Sequence, residues 1–342
     1  MDLLHSAGRI QGSPSGLAQA MSIAFESIAE DQAGPKWRAL FDRFWPAYER
    51  WFLSEGDKAR PRYLTSLRAL RTHMPELVPT YERLVELAGD TDMIARFMSS
   101  FCPPSYLLAC SQAVWSHDEP FLVRNYDYSP KLCEGVIVKT AWNGRQVISM
   151  NDCMWGVLDG INEDGLALSL SFGGRRAVGV GFGVPLMLRY ILEFCATTEE
   201  AIAVFERVPV HMSYNVTVLD RTGRFVTAYL RPDQPAVIRA VPYAANHQDE
   251  IEWEQHAKAT ATLQREQFLF GQLRGHARRP EELIQSFLRP PLYSSAFANG
   301  YGTLYTAVYR PATPGVEYLW PAMSWKLGFE SFTEEKRTVA YQ

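Results

Sequence analysis

The chain lacks the features that mark several large functional classes. No apolar run approaches the ~18 residues that a membrane span needs. The opening MDLLHSAGRIQGSPSG has no apolar stretch behind a basic one, so no secretory leader is expected. Positive charge is not in excess: 34 Lys and Arg stand against 38 Asp and Glu, for a net charge of −4. A nucleic-acid partner is therefore not expected, since it would need a basic face. The nearest approach, Arg274, His276, Arg278 and Arg279, reads as a solvated surface loop. There is no C-x-x-C, and the five cysteines (Cys102, Cys110, Cys133, Cys153, Cys195) are odd in number and widely spaced. That pattern argues against a disulfide framework and a zinc site. It fits a reducing cytoplasm, where a thiol stays free for chemistry.

What is present suits a large α+β protein. Of 342 residues, 47% are hydrophobic and 21% charged, enough for a real core. The texture changes near residue 100. Before it the period is helical: 37–53, interrupted by Pro46, then 64–73 and 79–88, with Asp90-Thr91-Asp92 set to cap a short helix through Met98. Cys102-Pro103-Pro104 breaks the pattern. Beyond it, strands are expected at 106–115 and 121–128, and at 135–141 and 146–150 around the hairpin signal Asn143-Gly144. A further strand is expected at 165–172. Two helices follow, one opening at Pro185 and one at the capping box Thr197-x-x-Glu200. Strands are expected again at 213–220, 224–230 and 236–243, helices over 252–288, and strands at 302–310 and 316–320. Runs of strands and runs of helices, not alternating β-α-β units, predict stacked sheets with helices outside.

Cys110 lies in an apolar strand at the seam between the two textures. The next strand carries Arg124, Asn125 and Asp127, polar residues that a purely structural buried strand would avoid. Asn246-His247 follows a later strand. Several segments around these residues form a pattern: Cys110-Ser111, Arg124-Asn125-Tyr126-Asp127, the run from Leu158 to Ala167 (LDGINEDGLA), Arg189 to Glu193 (RYILE), Asn215, Ala245-Asn246-His247 and Thr303-Leu304-Tyr305. In order and spacing, over roughly residues 107–310, the chain resembles the acyl-CoA:6-aminopenicillanic acid acyltransferase family of N-terminal-nucleophile (Ntn) hydrolases, related to penicillin V acylase and choloylglycine hydrolase.

The resemblance implies a four-layer α-β-β-α sandwich preceded by a helical pro-segment. Residues 1–109 would be the pro-segment and small chain, and 110–342 the catalytic domain and large chain, the two staying associated after self-cleavage between Ala109 and Cys110. It implies Cys110 as the nucleophile, Asp127 positioning its amine, Arg124 close to the sulfur and Asn246 as an oxyanion donor. Arg265 matches a further arginine of the bile salt hydrolase branch, and Asn125 travels with the Arg124 motif. No metal or cofactor is implied. The partner is a small-molecule amide or acyl donor, acyl-CoA included, and homo-oligomerisation stays open.

The residues have their own logic. A free α-amine has a pKa of about 7.7–8.0, near the ideal for a general base, and a Cys at a chain start carries nucleophile and base together. A nearby cation lowers a thiol pKa. Arg124 and Asp127, three apart, fall on opposite faces of a straight strand, so a bend is needed to bring both to Cys110. Two departures bear on the expectation. Ala109 stands where the family commonly has Gly, which allows strained backbone at a scissile bond. Leu170-Ser171-Phe172 stands where the choloylglycine branch carries Asn. Two other readings remain open: an internal Cys110 served by His247 as base, and an uncut relative that keeps the fold as a binding module.

Overall fold

The computed structural model describes residues 21–107 and 109–341. Two antiparallel-rich sheets form its centre. The strands are β1 (Met21–Glu30), β2 (Ala109–Trp115), β3 (Phe121–Tyr128), β4 (Val136–Thr140), β5 (Val147–Asp152), β6 (Gly156–Asn162), β7 (Ala167–Phe172), β8 (Tyr214–Leu219), β9 (Phe225–Leu230), β10 (Val237–Arg239), β11 (Tyr243–Ala244), β12 (Gly302–Tyr309), β13 (Gly315–Trp320), β14 (Met323–Gly328) and β15 (Lys336–Tyr341). A nine-stranded sheet runs β10-β9-β8-β7-β6-β5-β4-β1-β15, and a six-stranded sheet runs β11-β2-β3-β12-β13-β14. The sheets lie face to face, with β2 and β3 over β7 and β8.

Helices cover both outer faces. α5 (Val184–Phe194) and α6 (Thr198–Arg207) lie on β5, β6, β8 and β9 of the larger sheet. After the short α7 (Glu254–Ala259), α8 (Thr262–Gly271) and α9 (Pro280–Ser286) cover the smaller one, where Leu269, Leu283 and Ile284 meet Ala113, Phe121, Val123 and Val308. The four layers are therefore α-β-β-α, as expected. The Thr197–Glu200 capping box opens α6, with both reciprocal bonds made.

The run 158–167 shows why its residue types recur together. Asp159 points between the sheets. At Gly160 a Cβ would lie 2.7 Å from Leu192 Cδ1 and 2.8 Å from Ser149 Cβ, so glycine lets α5 close on β6. Gly165 adopts φ +85°, closing the turn to β7. Asn162 ties that turn to the end of α5: Nδ2 donates to Leu192 O (3.0 Å) and Cys195 O (2.7 Å), while Oδ1 accepts from Leu166 N–H (2.9 Å).

Among the described residues of the first 109 are the α-helices α1 (Pro35–Phe52), α2 (Tyr63–His73), α3 (Val78–Ala88) and α4 (Asp92–Met98), the last capped by Thr91. These residues also supply a strand that helical periodicity does not announce. β1 lies inside the larger sheet, parallel to β4 and antiparallel to β15. The segment is thus helical and stranded, and it is woven into the sandwich. Residues 1–20 and Leu108, both within this expected pro-segment, fall outside the described residues. Among the described residues no helix is long and apolar enough to cross a membrane.

Candidate active site

Cys110 is the second residue of β2. In the antiparallel ladder it faces Tyr126 of β3, while Ala109 faces Asp127 and Gln112 faces Arg124. Side chains alternate across a sheet, so Cys110, Gln112 and Arg124 share the face between the two sheets. The Cys110 side chain has no solvent exposure.

Arg124 reaches the sulfur directly, its Nη2 lying 3.1 Å from Cys110 Sγ. Nη1 pairs with Asp159 and donates to Tyr305 OH at 3.0 Å. Burial works against the guanidinium charge, but the neighbouring thiol, Tyr305 and Asp159 outweigh it and keep the group protonated. The thiol itself is pushed up by burial. Arg124 pulls it down, Asp127 pushes it up, and the Asp127 backbone N–H again favours the thiolate. Arg124 acts in the expected direction, and burial outweighs it.

Asn246 grips the backbone of the same residue. Its Oδ1 accepts from Cys110 N–H at 2.9 Å and its Nδ2 donates to Cys110 O at 3.0 Å. The reason is geometric. β11 pairs Ala244 with Gln112 and then ends. Two residues on, the Asn246 carboxamide takes the place of a backbone amide and continues the ladder to Cys110. The loop is clamped on both sides of Asn246. Asn215 Nδ2 donates to Ala245 O (3.0 Å) and His247 O (2.9 Å), Ser171 Oγ donates to Ala245 O (2.6 Å), and Thr262 Oγ1 accepts from Asn246 N–H (2.7 Å).

Asp127 takes the other face of its sheet. No bend brings its carboxylate round to the sulfur. It pairs with Arg265 of α8, and Thr303 Oγ1 donates to it at 2.6 Å. Arg265 is buried. Its Nη1 also lies 3.5 Å from Ser111 Oγ. Asn125 shares the outer face and joins the sheet to the end of α9: Nδ2 donates to Phe287 O at 2.8 Å, and Thr306 donates to Oδ1 at 2.7 Å. His247 turns elsewhere. Nδ1 meets Thr262 Oγ1 at 2.8 Å and Nε2 meets Glu266 at 3.2 Å. The structure therefore gathers Cys110, Arg124 and Asn246 directly, and places Asp127 and Arg265 together on the other face of the sheet, beside Ala109. Asp159, Tyr305 and Asn215 lie in segments that carried the resemblance but had been given no role at the site. The signal for Asp159 was an acidic residue inside an otherwise apolar strand.

Two stacked sheets between two helical layers are the architecture of the Ntn-hydrolase fold. Within that class the chain belongs to the acyl-coenzyme A:6-aminopenicillanic acid acyl-transferase family, whose model matches residues 115–325. No curated protein sequence matches. Among solved structures it is similar to a mutant conjugated bile acid hydrolase from Clostridium perfringens (10% identity, 68% of this chain and 97% of that one, TM-score 0.45). It is also similar to penicillin V acylase from Agrobacterium tumefaciens (15%, 66% and 90%, 0.40) and to a Caenorhabditis elegans N-acylethanolamine-hydrolyzing acid amidase ortholog (16%, 64% and 99%, 0.44).

Proposed function

We propose that this chain is a self-activating cysteine Ntn enzyme that hydrolyses linear amides through an acyl-thioester on Cys110. The observation that carries the reading is the double hold on Cys110: Arg124 Nη2 at 3.1 Å from Sγ and Asn246 on both backbone groups. In the first step the Cys110 sulfur attacks the Ala109 carbonyl carbon. The thiol proton passes to the departing Cys110 nitrogen, and the C–N bond breaks to leave a thioester. Water then hydrolyses the thioester, giving an Ala109 carboxylate, a free thiol and the Cys110 α-amine.

That amine is the general base of the mature enzyme. It takes the thiol proton as sulfur attacks a substrate amide, and it returns a proton to the leaving amine. Asn246 Oδ1, already on the Cys110 nitrogen, orients it. One Nδ2 hydrogen serves the Cys110 carbonyl, and the other is the donor we assign to the oxyanion. Loss of such a donor costs about 10²–10³ in rate. Asp127 and Arg265 stiffen the strand end at the cut. Water completes the cycle. An amine acceptor in its place would make the enzyme an N-acyltransferase with acyl-CoA or an amide as donor. Hydrolysis is preferred because water is always present and transfer needs a site that excludes it. Five free thiols support a reducing cytoplasm as its setting.

Intact mass and denaturing gels test the first step. Wild type should yield residues 1–109 and 110–342 with Cys110 at a new N-terminus, and Cys110→Ala should stay whole. The cut protein is then assayed on p-nitroanilides of varied acyl length, with and without an amine acceptor. A wild-type chain that stays whole and still hydrolyses amides refutes the mechanism. One that stays whole and reacts with nothing is a binding module of this fold.

A further inference from the structure

Arg124 is a rigid fork. The guanidinium is planar, so fixing one end aims the other. Nη1 is held by Asp159 and by Tyr305 OH, and Nη2 is thereby directed at Cys110 Sγ. The rings of Tyr126 and Tyr305 flank the group at 4.7 and 5.9 Å. Asp159 is itself saturated: Tyr305 OH donates to Oδ2 at 2.6 Å, and Tyr309 OH donates to Oδ1. Tyr318 OH backs Tyr309 at 3.2 Å. The anchor stands on β6 of the larger sheet, while Arg124 and Cys110 stand on β3 and β2 of the smaller. The pair is completely buried. A buried ion pair is seldom a net source of stability compared with a well-packed apolar pair, so its cost calls for another return.

We infer that Asp159 is a positioning residue for the reaction at Cys110, fixing Arg124 with the help of Tyr305 so that its free end lies on the sulfur. The inference rests on the reading of Cys110 as nucleophile. Asp159 touches neither substrate nor sulfur and acts only through Arg124.

The test compares wild type, Asp159→Asn and Tyr305→Phe by two readouts. One is the rate of Ala109–Cys110 cleavage against pH in freshly synthesised chain. The other is titration of the ¹³Cβ signal of Cys110, located by its loss in Cys110→Ala, with whole chains compared with whole and cut with cut. Asp159→Asn should slow cleavage roughly 10- to 100-fold through misplacement. It should also raise the thiol titration by about one pH unit or more as the cation leaves the sulfur. Tyr305→Phe, which keeps the carboxylate, should move both in the same direction and by less. An unshifted titration overturns the inference even if Asp159→Asn is less stable, because a purely structural role lowers stability without moving a titration. A downward shift also overturns it, since Arg124 would then stay on the sulfur without its anchor. If Asp159→Asn does not fold, Tyr305→Phe decides by the same outcomes. A wild-type chain that never cuts refutes the proposed function instead, and the titration still reads the hold of Asp159 on Arg124.

Discussion

Replacing Asn246 tests the arrangement around Cys110 without any assumption about catalysis. The background is Cys110→Ala, which removes the thiol and keeps the backbone that Asn246 grips. Asn246→Ala then strips the partner from two buried backbone groups, the residue-110 N–H and C=O, held at 2.9 and 3.0 Å. Each orphaned buried group costs about 1–3 kcal/mol, so the loss is about 2–6 kcal/mol. The Asn246 N–H keeps its bond to Thr262, so the loop itself retains a tether. Urea denaturation should show a lower midpoint with an unchanged slope. Asn246→Asp adds a signature that a packing defect lacks. Its ionised carboxylate still accepts from the residue-110 N–H but sets an unshared oxygen against the residue-110 carbonyl, where only the protonated form donates. The folded-state pKa of this new carboxyl is thereby raised. Its penalty is small in acid and grows as pH rises through that pKa. A loss below about 1 kcal/mol for Asn246→Ala, or no pH dependence for Asn246→Asp, would refute the side-chain ladder described here.

Two more outcomes follow from the geometry. Asp152 is buried beside Glu134, and Tyr48 OH on α1 binds both at 3.3 and 2.5 Å. Burial, then Glu134, pushes the Asp152 carboxyl up to about 7, so the stability it confers is present in acid and lost as pH rises through that value. Asp152→Asn should flatten this decline, and an equally steep decline in the variant would exclude Asp152 as its source. His247 points to Thr262 and Glu266, so His247→Ala should leave self-cleavage at the wild-type rate in a timed gel assay. A loss of about 10²-fold or more, the size expected of a general base, would restore the Cys–His reading.

How far the sequence announces this structure depends on what each segment buries. Helices α1, α2, α3 and α6 have one exposed side and report themselves by period, and Thr197 and Glu200 mark a start that the structure places within a residue. β3 was legible because Phe121 and Val123 alternate with Leu122 and Tyr126 between clear turns. β1 was not. Only Ile23, Phe25 and Ser27 are inward and buried, and one of these is polar, so its alternation is broken. β6 hid for the opposite reason: it is buried on both faces, and Asp159, Gly160 and Asn162 interrupt its apolar run. At the site, opposite faces for Arg124 and Asp127 follow from spacing alone, and the structure keeps them. What spacing cannot supply is the partner across the gap. Asp159 meets Arg124 from another sheet, 35 residues on, and Arg265 meets Asp127 from a helix 138 residues on.

The placement of β1 bears on what self-cleavage would do. A pro-segment joined only through exposed contacts could leave once its last bond is cut. Here the segment contributes an interior strand, the Trp37 indole N–H bonded to Met154 O (3.0 Å), Tyr48 in the carboxyl pair and Trp155 Nε1 bonded to Met98 O (2.9 Å). Removing β1 would open two strand edges in the larger sheet, on β4 and β15, and exposed edges pair with other chains. The cut on this reading is therefore local. It would loosen residues 101–107, whose Tyr106 ring sits 6.0 Å from that of Tyr214, and would open the way to the buried sulfur of Cys110. The rest of the segment stays as part of the scaffold, which is why residues 1–109 should co-purify with 110–342 after cleavage and separate only when the sandwich unfolds.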